Sequence, residues 1–378
     1  MQIDFFNPRS IICFIAILQG LIFAVLLINR GFRQKTKADF WLAILLLVLC
    51  SALITPFIGF ANVYDLNQWL TYFPFSIAYS YGVLVWFYTL NLTDSKRKFQ
   101  AKDLYFFIPT FVYLAVRFFL FAQTLEWKDW FGANYGRRLA SFVFVTELFW
   151  NLAFLYFSIR HYRKYRQWLD ENFSDTEKVK FDWLRNFLYI FTSVLILGAF
   201  FDFTNSFLFK LSYIQFFYFE IVLALTTYYL AVAGYLRSQT IELDFSEVKS
   251  EEIEQRKTLL PENELEKLKT KLSELMTNDK IYLEPNLTLT DLSRKLGVNS
   301  TVLSYAINNG FGKNFNDFVN EFRISEVKEK LASGDDSSLL NVAFDCGFNS
   351  KATFNRAFKK FTGISPKEFA QSSFDEKE

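Results

Sequence analysis

The chain has one histidine, His161, three cysteines and two methionines in 378 residues. A lone histidine among Arg160, Arg163, Lys164 and Arg166 has no partner for a His-rich metal site or Ser-His-Asp chemistry. It reads as a solvated residue on a basic face. Cys13 and Cys50 lie in apolar runs and Cys346 lies far from both. No disulfide framework is therefore predicted, and a reduced compartment suits the C-terminal part. No paired-aspartate motif stands in the apolar runs, which argues against an intramembrane enzyme. No catalytic residue, metal or cofactor is expected. Net charge is nearly absent too, at +2, so any electrostatic function must come from how the charges are placed.

Apolar surface, by contrast, is abundant and unevenly placed. Of the 48 Phe, 36 fall at or before Phe219, and all eight Trp fall at or before Trp183. Beyond Leu236 the sequence becomes rich in Lys, Glu, Ser and Asn. A bilayer core of about 30 Å takes roughly 20 apolar residues as helix. Seven runs reach that length: 11–29, 40–60, 71–92, 104–123, 139–159, 184–209 and 212–235. Seven in succession cannot all be the core of a soluble domain. The first lacks a basic leader and a small-residue cleavage pattern, so it reads as a span and not as a signal peptide. Residues 1–236 are thus expected to form an all-α, seven-span transmembrane bundle.

Lys and Arg in short loops set the orientation. Loops on one side carry Arg30, Arg33, Lys35 and Lys37, then Lys96, Arg97, Lys98 and Lys102, then Arg160, Arg163, Lys164, Arg166, Lys178 and Lys180. The other side has only Arg9, Lys128, Arg137, Arg138 and Lys210. The bias predicts an external N-terminus and a cytoplasmic C-terminus.

Residues 237–277 read as a connector. Its first part is acidic, with Glu242, Asp244, Glu247, Glu251, Glu252 and Glu254. Its second part is an amphipathic helix striped by Leu265, Leu268, Leu272, Leu275 and Met276, suited to packing on the next domain or to a homodimer seam. Residues 278–378 then show short helices with explicit caps. Thr288 to Asp291 has the capping-box form, Gly297 supplies a turn, and Asn299 or Ser300 caps a helix over 301–308. That pattern is a helix-turn-helix. It recurs with a helix over 338–346, Gly347 at the turn and Asn349 as cap of a helix over 350–361. A helix from Phe315 to Ala332, about 27 Å long, joins the two and can set their second helices near one turn of B-DNA apart.

The stretches LTLTDLSRKLG, NNGFGKNFNDFVNEFRISEVKEKL and NVAFDCGFNSKATFNRAFKKFTGISPKEF resemble the AraC/XylS transcription regulators over about the last 100 residues. With the apolar N-terminal part, the chain resembles that family's membrane-bound subgroup. The resemblance implies a double helix-turn-helix domain binding double-stranded DNA, with base-facing positions at Thr301, Ser304 and Tyr305, and at Lys351, Ala352, Asn355 and Arg356. Chemically, Arg356 and Lys351 can donate to guanine and Asn355 can pair with adenine. Lys313, Lys359 and Lys360 suit phosphates. Phe354, Phe358 and Phe361 recur at core spacing. Residues 278–378 hold 13 Lys and Arg against 14 Asp and Glu, so non-specific affinity should be modest.

These readings predict a one-component regulator of the bacterial inner membrane, with the bilayer and DNA as partners and an external or membrane ligand of unknown identity as input. The alternative is a transporter-like membrane part with an appended DNA-binding domain. Uncomfortable charges inside the spans, Arg117, Glu147, Asp202 and Glu220, are expected at one depth. They would either pair to join helices or line a pocket favouring a cationic ligand.

Overall fold

The computed structural model describes residues 3–177, 181–236, 261–332 and 338–375, all of whose regular structure is helical. The acidic connector at 237–260 lies outside the described residues. The chain forms two compact units: Met1–Arg163 with Asp182–Asp244, and Lys164–Phe181 with Phe245–Glu378.

In the first unit, α1 (Pro8–Gln34) starts where Asn7 accepts from the Arg9 amide at 3.0 Å, with Pro8 in the first turn. It packs on α2 (Lys37–Phe60) and on α8 (Tyr213–Leu236). Between them come α3 (Tyr81–Thr93), α4 (Ile108–Phe121), α5 (Leu125–Phe131), α6 (Arg137–Asn172, its residues from Lys164 belonging to the second unit) and α7 (Asp182–Phe203). The outward faces carry large apolar side chains such as Ile15, Val25, Phe142, Phe149, Phe200 and Leu225, each more than half exposed. A surface of that composition suits lipid.

Among the described residues six helical stretches, not seven, are long and apolar enough to cross a membrane: Pro8–Gln34, Lys37–Phe60, Ala101–Phe121, Leu125–Asn172, Asp182–Leu208 and Tyr213–Leu236. The run expected at 71–92 is the exception. Pro74 removes an amide donor and disfavours helix at Phe73, and Tyr72 and Tyr79 both take positive φ, so helix begins only at Tyr81. The resulting α3 has 13 residues, a length of about 20 Å. It is apolar all round and buried on nearly every side, as such a helix must be. Its Gly82 amide donates to Asn151 Oδ1 at 2.8 Å, and Thr93 meets His161 Nε2 at 2.8 Å. His161 is therefore buried, edge-on to Trp86, and not solvated as its basic neighbours suggested.

Although short, the 69–97 segment joins opposite ends of the bundle. At one end Lys128 Nζ donates to the Trp69 carbonyl at 2.9 Å and the Asp4 amide to that of Ala61 at 3.0 Å. At the other, Lys37 Nζ reaches the carbonyls of Ser95 and Arg97 at 3.3 and 2.6 Å. There too Arg30 pairs with Asp39 at 2.6 Å and with the Gly234 carbonyl at 3.2 Å.

The second unit contains α9 (Glu262–Thr277), α10 (Leu289–Leu296), α11 (Ser300–Phe311), α12 (Phe315–Ala332), α13 (Leu339–Asp345), α14 (Lys351–Thr362) and α15 (Pro366–Asp375). It has two cores that share α12. Phe315, Phe318 and Val319 join Leu272, Met276, Leu292 and Leu303 in the first. Ile324 and Val327 join Val342, Phe348, Phe354 and Phe358 in the second. Leu272, Leu275 and Met276 of the α9 stripe are thus packed into the core of this domain.

Candidate nucleic-acid interface

The first helix pair opens with the capping box expected at Thr288. Its hydroxyl accepts from the Asp291 amide at 3.1 Å, while Asp291 accepts from the Thr288 amide at 3.3 Å. Gly297 turns the chain at φ 68°, and Asn299 caps α11 by accepting from the Thr301 amide at 2.8 Å. On α11, Leu303, Ala306 and Ile307 are buried and Thr301, Ser304 and Tyr305 are half-buried. Asn308 donates back to Ser304 Oγ at 3.3 Å and Asn309 to the Tyr305 carbonyl at 2.9 Å. This helix contains no cation.

The second pair turns at Gly347, where φ is 89°. Ser350, not Asn349, caps α14 by accepting from the Thr353 amide at 3.1 Å. Asn349 instead ties the turn to the Pro285 carbonyl at 2.7 Å. Thr353, Phe354, Ala357 and Phe358 are buried, whereas Lys351, Ala352, Asn355, Arg356, Lys359 and Lys360 are all exposed. The six side chains, Ala352 the one apolar member, form one continuous exposed stripe, because two adjacent positions recur every four residues on a helix. Two of its cations are engaged: Arg356 pairs with Glu177 and Lys360 with Asp317, each at 2.6 Å. Lys313 pairs with Glu321. Lys351 and Lys359 form no ion pair among the described residues.

Sequence reasoning missed the residues that hold the two helix pairs together. Arg323, counted among the domain's cations, is fully buried. It donates at 2.7 Å to the carbonyls of both Tyr282 and Glu284 and lies over the Phe348 ring at 5.7 Å. Burial pulls its guanidinium down to about 10, still protonated at neutral pH. It was also not foreseen that Phe173 to Glu177 belong to this unit. No spacing signal places them there.

Three of the four intramembrane charges come together. Glu147, Asp202 and Glu220 line one cavity of about 330 Å³ in the first unit, with Ser76, Tyr81 and Asn151. Arg117 is not with them: it donates to the Phe73 carbonyl at 3.4 Å and lies over the Tyr72 ring at 5.3 Å, beside the non-helical stretch. Among the described residues, no group of three His, Cys, Asp or Glu side chains is placed to hold a metal.

A helix, a glycine turn and a capped second helix with an exposed polar stripe define a helix-turn-helix domain. The family described as Helix-turn-helix domain matches residues 292–372. An uncharacterized HTH-type transcriptional regulator of Staphylococcus aureus strain COL is 30% identical over 99 residues, 26% of this chain and 13% of the relative. The YtdP regulator of Bacillus subtilis strain 168, likewise uncharacterized, is 31% identical over 88 residues, 23% of this chain and 11% of its own. The chain thus spans only about an eighth of these relatives, whose names describe a non-catalytic class. A solved Listeria innocua protein of unknown function is 27% identical over 28% of this chain and 94% of its own. Its TM-score of 0.25 is too low to inform the fold. The protein therefore joins a helical unit of membrane-crossing length to a C-terminal helix-turn-helix domain.

Proposed function

We propose that this chain is a membrane-embedded transcription regulator of the AraC/XylS type, receiving a signal through its membrane unit and binding double-stranded DNA through both helix-turn-helix pairs. The observation that carries the reading is the stripe on α14, where every expected contact residue is exposed and the intervening ones are buried. Arg356 and Lys351 would donate to guanine and Asn355 to adenine, while Lys359, Lys360 and Lys313 would hold phosphates. On α11, Thr301, Ser304 and Tyr305 would read bases more weakly, for want of a cation. Chromosomal fragments bound by the full chain would first supply an operator. On it, Arg356→Ala should cost about 1–3 kcal/mol and relax base preference. Lys360→Ala should weaken all sequences alike and lower the salt slope by about one. If both variants bind the operator like the wild type, the groove assignment is wrong.

The orientation belongs to the same proposal. The end of the bundle holding Lys37, Ser95 and Arg97 carries the basic loops and would face the cytoplasm. The third passage would then be made by coil followed by α3, tolerated in lipid because most of its residues from Ala78 to Thr93 are buried in protein. As input site we propose the cavity of Glu147, Asp202 and Glu220, whose acidity favours a cationic or hydrogen-bond-donating ligand. One observation favours a second reading, a transporter-like membrane unit. Ser76, on the non-helical stretch before α3, lines that same cavity, and broken helices at such sites are a transporter trait. Concentrative uptake into vesicles would select it.

A further inference from the structure

Phe173 to Glu177 follow α6 directly, and the second unit holds them as a strap. Ser174 is its anchor, only 1% exposed. Its hydroxyl and amide both donate to the Leu287 carbonyl, at 2.7 and 3.2 Å. Its own carbonyl accepts from Asn316 at 2.8 Å and from Asn320 at 3.1 Å, and Asn316 also donates to the Phe173 carbonyl at 3.0 Å. Arg323 completes the anchor with a 3.3 Å bond to Ser174 Oγ. Within the next three residues the strap reaches the recognition helix. Thr353 donates to Asp175 Oδ1 at 2.9 Å, and Arg356 to Glu177 Oε2 at 2.6 Å. Glu177 shares a shallow groove with Ala352, Asn355, Arg356, Lys359 and Lys360.

We infer that the strap is a built-in competitor of DNA, its Glu177 carboxylate occupying on Arg356 the place of a DNA acceptor. This rests on the proposed reading of α14 as the DNA-facing helix. A carboxylate and a phosphate oxygen are both charged acceptors for a guanidinium, and Arg356 cannot serve both with the same N–H. The pair also removes one cation from a stripe that has few, and places two carboxylates where phosphates would approach. Anchor and competitor are separable. The Ser174 bonds are buried beneath α12, whereas Arg356 and Glu177 side chains keep 47% and 32% of their exposure. DNA can therefore displace the acidic end while the anchored end stays. In the sequence the strap lies between α6 and α7, the helices that supply Glu147, Asn151 and Asp202 to the acid-lined cavity.

The test uses the full chain in lipid nanodiscs and a labelled random-sequence duplex, titrated by fluorescence anisotropy at low and physiological salt. The Asp175→Asn, Glu177→Gln double variant should bind about two- to fivefold more tightly than wild type, with a salt slope steeper by about one. Equal or weaker binding by a variant that keeps wild-type thermal unfolding overturns the inference. Hydrogen exchange on the unmutated chain gives a second reading. Saturating duplex should speed exchange at the Glu177 amide, which donates to Asp175 Oδ1 at 2.9 Å, and leave the Ser174 amide slow. Unchanged exchange at Glu177 in the DNA-bound chain also overturns it. Failure of every form to bind DNA would instead remove the DNA-binding reading itself, and the competitor with it.

Discussion

Arg323→Met is the substitution whose cost the structure specifies best. Methionine keeps most of the stem's length and loses the guanidinium fork. Two carbonyls, those of Tyr282 and Glu284, then lose donors at 2.7 Å inside the domain. Each buried acceptor left unsatisfied costs about 1–3 kcal/mol. Against this stands a gain, because a charge no longer has to be held away from water. The two Tyr282 and Glu284 bonds are to neutral carbonyls, so that gain is partial, and a net loss of about 2–4 kcal/mol follows. A domain's whole stability is about 5–15 kcal/mol, so the loss is large without being fatal. Hydrogen exchange in the full chain reads it directly. A loss of about 3 kcal/mol should speed the slowest amides of α12 and α14 by roughly a hundredfold. Arg323→Lys retains the charge but cannot present a planar fork to two carbonyls, and should fall between. Rates in Arg323→Met within about threefold of wild type would refute the claim that this side chain joins the two helix pairs.

Other positions separate causes just as cleanly. At Gly347 an added Cβ would lie 2.7 Å from the Tyr282 carbonyl oxygen and 2.9 Å from that of Leu283. Gly347→Ala should therefore cost about 2–4 kcal/mol in the same exchange assay, whereas Gly297→Ala, with nothing within 4 Å, should cost only its backbone strain, about 1 kcal/mol. The Glu326 carboxyl is held below its ordinary 4.5 chiefly by the bond from Lys280, with Tyr282 also donating. A lowered carboxyl stabilises the fold above the ordinary value and loses that contribution as pH falls through the folded one. Wild-type exchange should therefore quicken below about pH 4.5 more steeply than that of Glu326→Gln. Asp202→Asn and Glu220→Gln should abolish the response of a reporter gene to the external signal while leaving membrane insertion intact. A surviving response would make the acids structural. A fusion after Leu236 should report as cytoplasmic and one within 127–133 as external, and the reverse pattern would overturn the topology.

Much of the C-terminal domain was legible because its signals are local. The capping box at Thr288, the turn at Gly297 and the 315–332 helix are each written in neighbouring residues, and each forms as the spacing predicts. What failed were judgements that depended on unseen neighbours. Pro74 stands near the start of the apolar run over 71–92, where a proline is ordinarily tolerated, yet helix there gave way to coil over the first ten residues. His161 looked solvated because its sequence neighbours are basic, yet its ring meets Thr93 and Trp86. Nothing local sets Arg323 apart from the other cations of the domain, since only the approach of the Tyr282 and Glu284 carbonyls marks it as buried. At the site, the buried face of α14 follows from the helical spacing of Phe354 and Phe358, while the contact positions beside it were implied by the family resemblance. The helix's electrostatic state follows from neither, because Glu177 lies 179 positions from Arg356 in the chain.

That separation bears on how the strap can be displaced. Had Glu177 and Arg356 been buried together, parting them would cost several kcal/mol, because each charge would be left unpaired away from water. Exposed as they are, the pair is worth about 0.2–1 kcal/mol, comparable to thermal energy and easily outweighed by a phosphate backbone. The Ser174 anchor is the opposite case. Its hydroxyl, amide and carbonyl are all bonded in a site closed to water, and at about 1 kcal/mol per bond it outlasts the acidic end several-fold. A strap built this way cannot wander, so its carboxylates stay at high local concentration beside α14 after each release. Weak contact at one end and firm attachment at the other yield a competitor that DNA displaces locally and reversibly.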